Sequence, residues 1–305
     1  VTLLFADPSA LSHASPPGHP EQVARYDAVI EALADLDLDR REAPLATDAS
    51  LLLCHPQRYL DRIASAVPDA GCAMLDADTY LSPGSLEPAR RAAGGAVAAV
   101  DAVLDGSDDT AFVAMRPPGH HAEAETPMGF CIFGNAAIAA KHALHKRGLS
   151  RVAVLDFDVH HGNGTQALLW DEPGVIFASS HQMPLWPGTG AAQETGAHGQ
   201  IINAPLPPGS DGSTARAAWD EILGRVAAFG PELVIISAGF DAHTDDPLAG
   251  LNWQTQDFAA LTGAILYRAR NSDAKVVSCL EGGYNLAALG ASVRAHVDTL
   301  MRRAG

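Results

Sequence analysis

Asp158 and His160 stand at i and i+2 in a run that reads as extended backbone, so their side chains face the same way. A carboxylate oxygen and an imidazole nitrogen presented together can hold one divalent ion. Asp241, which follows a different apolar run, is the natural third ligand. Three protein ligands with one position left open is the arrangement of a catalytic zinc site, one ion per chain. Each residue has a plainer reading, Asp158 as a helix N-cap and His160 as a satisfied core histidine. Singly those readings are preferable; taken together with the tandem histidines nearby, the metal is. Two carboxylates make the set oxygen-rich for zinc, which leaves Fe(II) or Co(II) open.

The tandem histidines His120 and His121 follow Arg116-Pro117-Pro118-Gly119, a stiff turn. Beside a metal, imidazoles suit proton transfer because they titrate near neutrality. Asp156 and Asn163 flank the metal motif and are suitable partners for them. A carboxylate raises the pKa of the imidazole it touches and a neutral amide does so much less. The two partners would keep one histidine cationic and leave the other free as a base. Tyr284 follows Gly282-Gly283, whose permissive backbone can bring a phenol into a cleft to donate to a developing oxyanion. Alone, Tyr284 reads equally well as a surface tyrosine.

These residues need a frame that brings them together. Each cluster directly follows an apolar run: Ala111–Met115, Val152–Leu155, Leu233–Ser237 and Val276–Leu280. With Thr2–Phe5 and Val175–Ala178, these runs read as strands of a parallel sheet covered on both faces. Helical stretches alternate with them near Glu21–Leu36, Leu86–Leu104, Asn135–Arg147, Ser213–Phe229, Thr255–Arg270 and Leu286–Met301, with Pro20 and Ser213 as start signals. The alternation predicts a three-layer α/β/α sandwich with a central, mainly parallel sheet, as one domain over 1–305. A (β/α)8 barrel fits the same pattern. In an open parallel sheet, loops at the carboxyl ends of the strands form the binding crevice, and all four clusters sit in such loops.

Composition narrows the partners. A formal charge of −16 with no basic patch argues against nucleic-acid binding. Cys54, Cys72, Cys131 and Cys279 are scattered without metal or disulfide spacing, and three have the apolar neighbours of buried thiols. A reducing compartment and a cytoplasmic location are expected. No apolar stretch is long enough to span a membrane, and no signal-peptide pattern opens the chain.

The ordered motifs Gly18-His19-Pro20-Glu21, Arg116–His121, Gly129-Phe130-Cys131, Asp156–Gly164, Ala238–Asp241 and Glu281–Asn285 resemble the zinc-dependent histone deacetylase and acetylpolyamine amidohydrolase family, most closely its class II members. The resemblance runs over nearly the whole chain. It implies the arginase–deacetylase fold, with zinc on Asp158, His160 and Asp241. It also implies that His121 acts as base and then acid, with His120 as its electrostatic partner. By the same resemblance Asp156 pairs with His120, Asn163 with His121, and Tyr284 steadies the transition state. Asn163 stands where class I members carry Asp. A structural potassium ion on backbone carbonyls around Asp156, Asp158, His160 and Ser179 rests on the resemblance alone.

Gly129, Phe130 and Trp186 match the family's aromatic tunnel for the acyl-lysine methylenes, where Trp186 replaces the usual Phe or Tyr and would narrow the channel. Leu248 occupies a position where a polyamine-selective relative carries Glu, which favours a neutral-tailed substrate. Asp78 is a candidate contact to substrate backbone. The expected substrate is an N-acetyl-lysine side chain in a peptide or protein. Acetylpolyamines or other small acetylated amines are the alternative within enzymes, and a non-catalytic acyl-binding module the alternative outside them. A dinuclear arginase-like hydrolase is a weaker reading, and an oligomer is left open.

Overall fold

Eight strands form one parallel sheet in the computed structural model, which describes residues 2–302. The strands are β1 (Leu3–Ala6), β2 (Asp39–Glu42), β5 (Thr110–Val113), β6 (Val152–Asp156), β7 (Val175–Gln182), β8 (Ile201–Leu206), β9 (Leu233–Ala238) and β10 (Lys275–Leu280). Between β2 and β5 a small antiparallel hairpin joins β3 (Ala73–Met74) to β4 (Tyr80–Leu81). The large sheet runs β2-β1-β5-β10-β9-β6-β7-β8. It is open, with β2 and β8 at its edges, so the barrel alternative is set aside.

The interior strands are mostly apolar because both faces are covered, with polar residues such as Asp156, Ser179 and Ser237 toward their carboxyl ends. Val152 and Val154 of β6 and Leu233 and Ile235 of β9 pack into one core. Their neighbours Ala153, Leu155, Val234 and Ile236 pack into the other, following the period of two. The first core is closed by α4 (Leu86–Leu104) and α5 (Asn135–His145). The second is closed by α7 (Gly212–Phe229), α8 (Thr255–Asn271) and α9 (Leu286–Met301), with Trp219, Phe258 and Val293 fully or almost fully buried. α1 (Ala24–Ala32) lies against α9. Three short helices complete the set: α2 (Asp48–Leu51), α3 (Gln57–Ala66) and α6 (Asn163–Leu169).

All six expected strands lie in the large sheet, and the six expected helices form to within a few residues. The two strands not anticipated are its edges. β2 is Asp-Arg-Arg-Glu, a charged run that a search for apolar patterns passes over, and charge on an edge discourages pairing with another chain. β8 contains Pro205, which an edge strand tolerates because only one side needs its amide. Two helix-start signals need correction. α1 begins at Ala24, not near Pro20, because Glu21 is drawn into a buried ion-pair cluster. α7 is capped by Asp211, which accepts from Ser213 N and Thr214 N; Ser213 is a donor to the cap.

Candidate active site

The four motif-bearing strands β5, β10, β9 and β6 are adjacent in the sheet and parallel, so their carboxyl ends open at one place. That adjacency converts four distant sequence clusters into one site.

After β6 the chain bends instead of continuing extended, which corrects the basis expected for the Asp158–His160 pairing. Asp156 Oδ1 accepts from Asp158 N at 3.0 Å, and Asp158 Oδ1 accepts from His160 N at 2.9 Å. These two side-chain-to-backbone turns aim both ligands inward. His160 Nδ1 lies 3.1 Å from Asp158 Oδ1 and 3.2 Å from Asp241 Oδ2. Ligands at the corners of a tetrahedron around zinc would be about 3.3 Å apart, since metal–ligand distances are near 2.0 Å. All three ligand atoms fall within 4.8 Å of one another. Val159 N donates to Asp241 Oδ1 at 2.9 Å, while Asp241 Oδ2 is buried with no hydrogen-bond partner among the described residues. A buried carboxylate oxygen without a donor is costly unless a cation sits there. The glycines agree: a Cβ on Gly282 would come 2.1 Å from Asp241 Oδ2 and 2.6 Å from Asp158 Oδ2. The residues present therefore fit one divalent ion. Neither plainer reading survives, since α6 is capped by Gly162 and His160 sits between carboxylates.

Charge in the cluster is arranged in opposite senses. Burial disfavours ionisation of Asp158, yet His120, His160 and His121 hold it well below the usual carboxylate range. Burial and the charge of Asp158 together push Asp241 up to about 7. His160 rises to about 10 against its burial, because the carboxylates of Asp158 and Asp241 flank its ring in the metal-free cluster.

The tandem histidines turn to different partners. His120 Nδ1 bonds Asp156 Oδ2 at 2.9 Å, and its Nε2 is 3.8 Å from Asp158 Oδ2. Burial opposes its charge, but Asp158 and Asp156 outweigh that and hold it well above its ordinary value. His121 Nδ1 bonds Asn163 Oδ1 at 2.8 Å. Burial, with His120 and His160 nearby, pushes His121 well below its ordinary value. The surroundings thus favour the charged form of one imidazole and the neutral form of its neighbour, with ring centres 3.8 Å apart. Helix α6 can bring Asn163 this close because Gly164 has no side chain; a Cβ there would lie 2.4 Å from Ala122 O.

Above these groups opens a cleft of about 340 Å³ lined by His121, His160, Tyr284, Gly129, Phe130, Trp186, Leu248 and Asp78, together with His19, Pro20, Ala77, Tyr80 and Leu185. Every expected substrate-binding residue is present. His120, Asp156 and Asn163 lie behind the wall. Phe130 adopts φ of 69°, rare for a side-chain-bearing residue, and stands edge-on to Tyr284 at 5.6 Å. Its amide is held by Thr79 Oγ1, and that of Gly129 by Asp78 Oδ1. Trp186 stands edge-on to His121 at 4.7 Å, and its ring tip would meet a Cβ on Gly129 at 2.6 Å. Tyr284 is only 8% exposed, so the surface-tyrosine reading falls; burial and the Asp241 charge hold its phenol well above its ordinary value. A larger groove of about 610 Å³ shares His19, Pro20, Leu248 and Tyr284 but carries none of His121, His160 or the metal-cluster carboxylates.

Several supporting residues were not anticipated. Fully buried Arg25 donates to Gly283 O at 2.7 Å and Glu281 O at 2.5 Å, fixing the loop that carries Tyr284. Glu21 binds both Arg25 and Arg116. Asp246 accepts from Tyr284 N at 2.7 Å, and Glu281 accepts from Gly119 N and His120 N. Apart from Glu21 and Arg25, which stand four residues apart, such contacts cross long sequence separations and leave no local motif. Ser179 Oγ is engaged by His181 Nδ1 at 2.9 Å.

Comparison with known proteins agrees with this geometry. The model of the histone deacetylase domain matches residues 19–300. An uncharacterised protein of Synechocystis is 42% identical over 298 residues, 95% of each chain. A histone deacetylase-like amidohydrolase of Pseudomonas aeruginosa is 41% identical, covering 91% of this chain and 74% of that one. A rice protein named histone deacetylase 10, chloroplastic, is 37% identical over 95% of this chain and 71% of its own. The crystal structure of the HDA15 HD domain superposes with a TM-score of 0.93 at 32% identity, over 98% of this chain and 91% of that one.

Proposed function

The chain belongs to the histone deacetylase family, and from that premise we propose that it removes acetyl groups from lysine side chains of peptides or proteins. Family membership makes it a zinc-dependent deacetylase; the substrate and the residue roles are our assignment. The observation that carries the substrate is the cleft itself. Phe130, Trp186 and apolar Leu248 line the same cleft as His121, Tyr284 and His160. A sleeve of aromatic carbon suits a chain of methylenes. An acetylated polyamine would bring a distant ammonium, for which the apolar side chain of Leu248 offers no partner.

In this reading Asp158, His160 and Asp241 hold zinc, which when bound supplies Lewis acidity to the acetyl carbonyl and lowers the pKa of water. His121, kept neutral, accepts the proton of the attacking water and returns it to the departing amine. His120, kept charged by Asp156, places a positive charge 3.8 Å behind it, ring centre to ring centre. The Tyr284 phenol, protonated at any working pH, donates to the oxyanion. A structural potassium ion near the carbonyls of Asp156, Asp158, His160 and Ser179 belongs to the same reading, supported by the register that sets Asp156 beside Ser179. So does a cytoplasmic location, supported by four free cysteines, three of them buried. No helix among the described residues is long and apolar enough to cross a membrane. We take 1–305 as one catalytic domain.

The test is kcat/KM on an acetyl-lysine peptide and on acetylputrescine, side by side. A preference for the peptide supports the assignment. A preference for acetylputrescine keeps the chemistry and replaces the substrate.

A further inference from the structure

An amide has two chemically opposite ends, and Asn163 turns only one of them to His121. With Oδ1 facing the ring at 2.8 Å, Nδ1 must carry the proton and Nε2 keeps its lone pair. Turned over, Asn163 would donate to Nδ1. The ring proton would then sit on Nε2, and His121 could not accept one there. The two amide orientations have nearly the same shape, so packing alone does not choose between them. The choice rests on what lies at the far end.

There Asn163 Nδ2 lies 2.9 Å from Glu123 Oε1, with Met128 Sδ at 3.4 Å and His121 O at 3.5 Å. All three neighbours accept, and the strongest is the carboxylate, which when ionised only accepts. Glu123 is held in place by its own backbone, whose amide donates to Thr126 O at 3.0 Å. Its side chain reaches Asn163 beside a cavity of about 390 Å³, which also contacts Gln166 and Trp170 and lies outside the substrate cleft.

We infer that Glu123 is a positioning residue: it fixes the Asn163 amide so that His121 keeps the tautomer able to take a proton. The inference rests on the base role given to His121 above. Glu123 touches neither the metal ligands nor the cleft. Its effect passes through one side chain to the base.

The experiment uses zinc-loaded enzyme labelled with ¹⁵N-histidine. The His121 ring is assigned by difference from His121→Ala, and its tautomer is read from long-range ¹H–¹⁵N couplings with the ring neutral. The wild type is expected to carry its proton on Nδ1. Glu123→Ala is expected to mix or invert the tautomer and to lower kcat on an acetyl-lysine peptide by about tenfold or more at unchanged KM, because a charge-assisted hydrogen bond sets the ratio of the amide orientations. Glu123→Gln, whose carbonyl still accepts, should restore the tautomer and most of kcat. If Glu123→Ala fails to fold, Asn163→Asp and Asn163→Asp/Glu123→Gln take its place. The acidic pair in the single variant repels, and the double variant should recover at least tenfold. A wild-type tautomer in Glu123→Ala overturns the inference. So does equal loss in Ala and Gln variants without a tautomer change, or no recovery in the double variant. An inactive wild type would instead remove the proposed function, and the tautomer would still decide the role of Glu123.

Discussion

Asp241 Oδ2 lies 3.2 Å from His160 Nδ1 without the alignment of a hydrogen bond, while Oδ1 of the same carboxylate accepts from Val159 N. One oxygen is fixed by backbone and the other is held ready for a cation. With Asp158 beside it, the metal-free cluster confines two acids to one buried space, and binding a divalent ion should stabilise the fold. Saturating zinc is expected to raise the Tm of metal-free protein by about 5 °C or more, and Asp241→Asn should abolish that shift. An equal shift in the variant would place the ion elsewhere.

Tyr284→Phe removes only the phenol oxygen from a loop tied by Arg25 and Asp246. Its kcat should fall by about 10²–10³-fold with little change in KM, the pattern of a donor used only in the transition state. Unchanged kcat on every acetylated substrate would favour a binding module over an enzyme.

Asn163→Asp exchanges a neutral partner of His121 for a carboxylate, which raises the pKa of the imidazole. His121 must be unprotonated to act as base, so the acid limb of the kcat/KM profile should move to higher pH. A profile that stays put or moves to lower pH would mean that another group is the base.

Glu21 is fully buried and lowered to about 2; its burial is outweighed by Arg116 and Arg25. Removing one member of such a cluster strands the others, so Glu21→Gln should cost about 3–5 kcal/mol in urea unfolding. It should also loosen Arg25 and, through Gly283 O, the loop of Tyr284. Loss below about 1 kcal/mol would contradict the cluster's role.

Acid should weaken the fold through histidines kept neutral by burial. His296 lies between Thr262 and Ser278 and is lowered to about 3; His55, bonded to Ala124 O and Gly134 N, is lowered to about 4. Their folded pKa values lie below the unfolded value near 6.5. Their contribution is complete above that pH and is lost as pH falls from 6.5 toward 4 and 3, by up to about 1.4 kcal/mol per pH unit for each. Urea unfolding of metal-free protein at pH 7.5 and 5.5 should show the loss, smaller in His296→Gln. Carboxyls raised by burial, such as Asp241, act in the opposite sense, so the difference between wild type and variant decides, and an equal response in both would contradict the role of His296.

The chemistry of the site was legible because its donors lie a few residues apart, directly after apolar strands: Asp156, Asp158, His160 and Asn163 occupy one loop, and His120 and His121 are neighbours. The sheet was legible where burial on both faces makes most of a strand a continuous apolar run. It was not legible at β2, whose charged side chains obey the needs of an edge. The scaffold behind the site was hidden for a different reason. Glu21 meets Arg116 across 95 positions, and Asp246 meets Tyr284 across 38, so no local spacing records either contact. The extended geometry expected at Asp158 and His160 was replaced by side-chain turns that leave the same residues facing one ion.

On the proposed reading, a single ion on Asp158, His160 and Asp241 makes this chain an amide hydrolase. Metal-free protein titrated with zinc, with acetate release from an acetyl-lysine peptide followed at each step, tests it most directly. The predicted result is activity that rises from near zero and levels off at one zinc per chain, with Asp241→Asn inactive throughout. Full activity without added metal, or a requirement for two ions per chain, would contradict it.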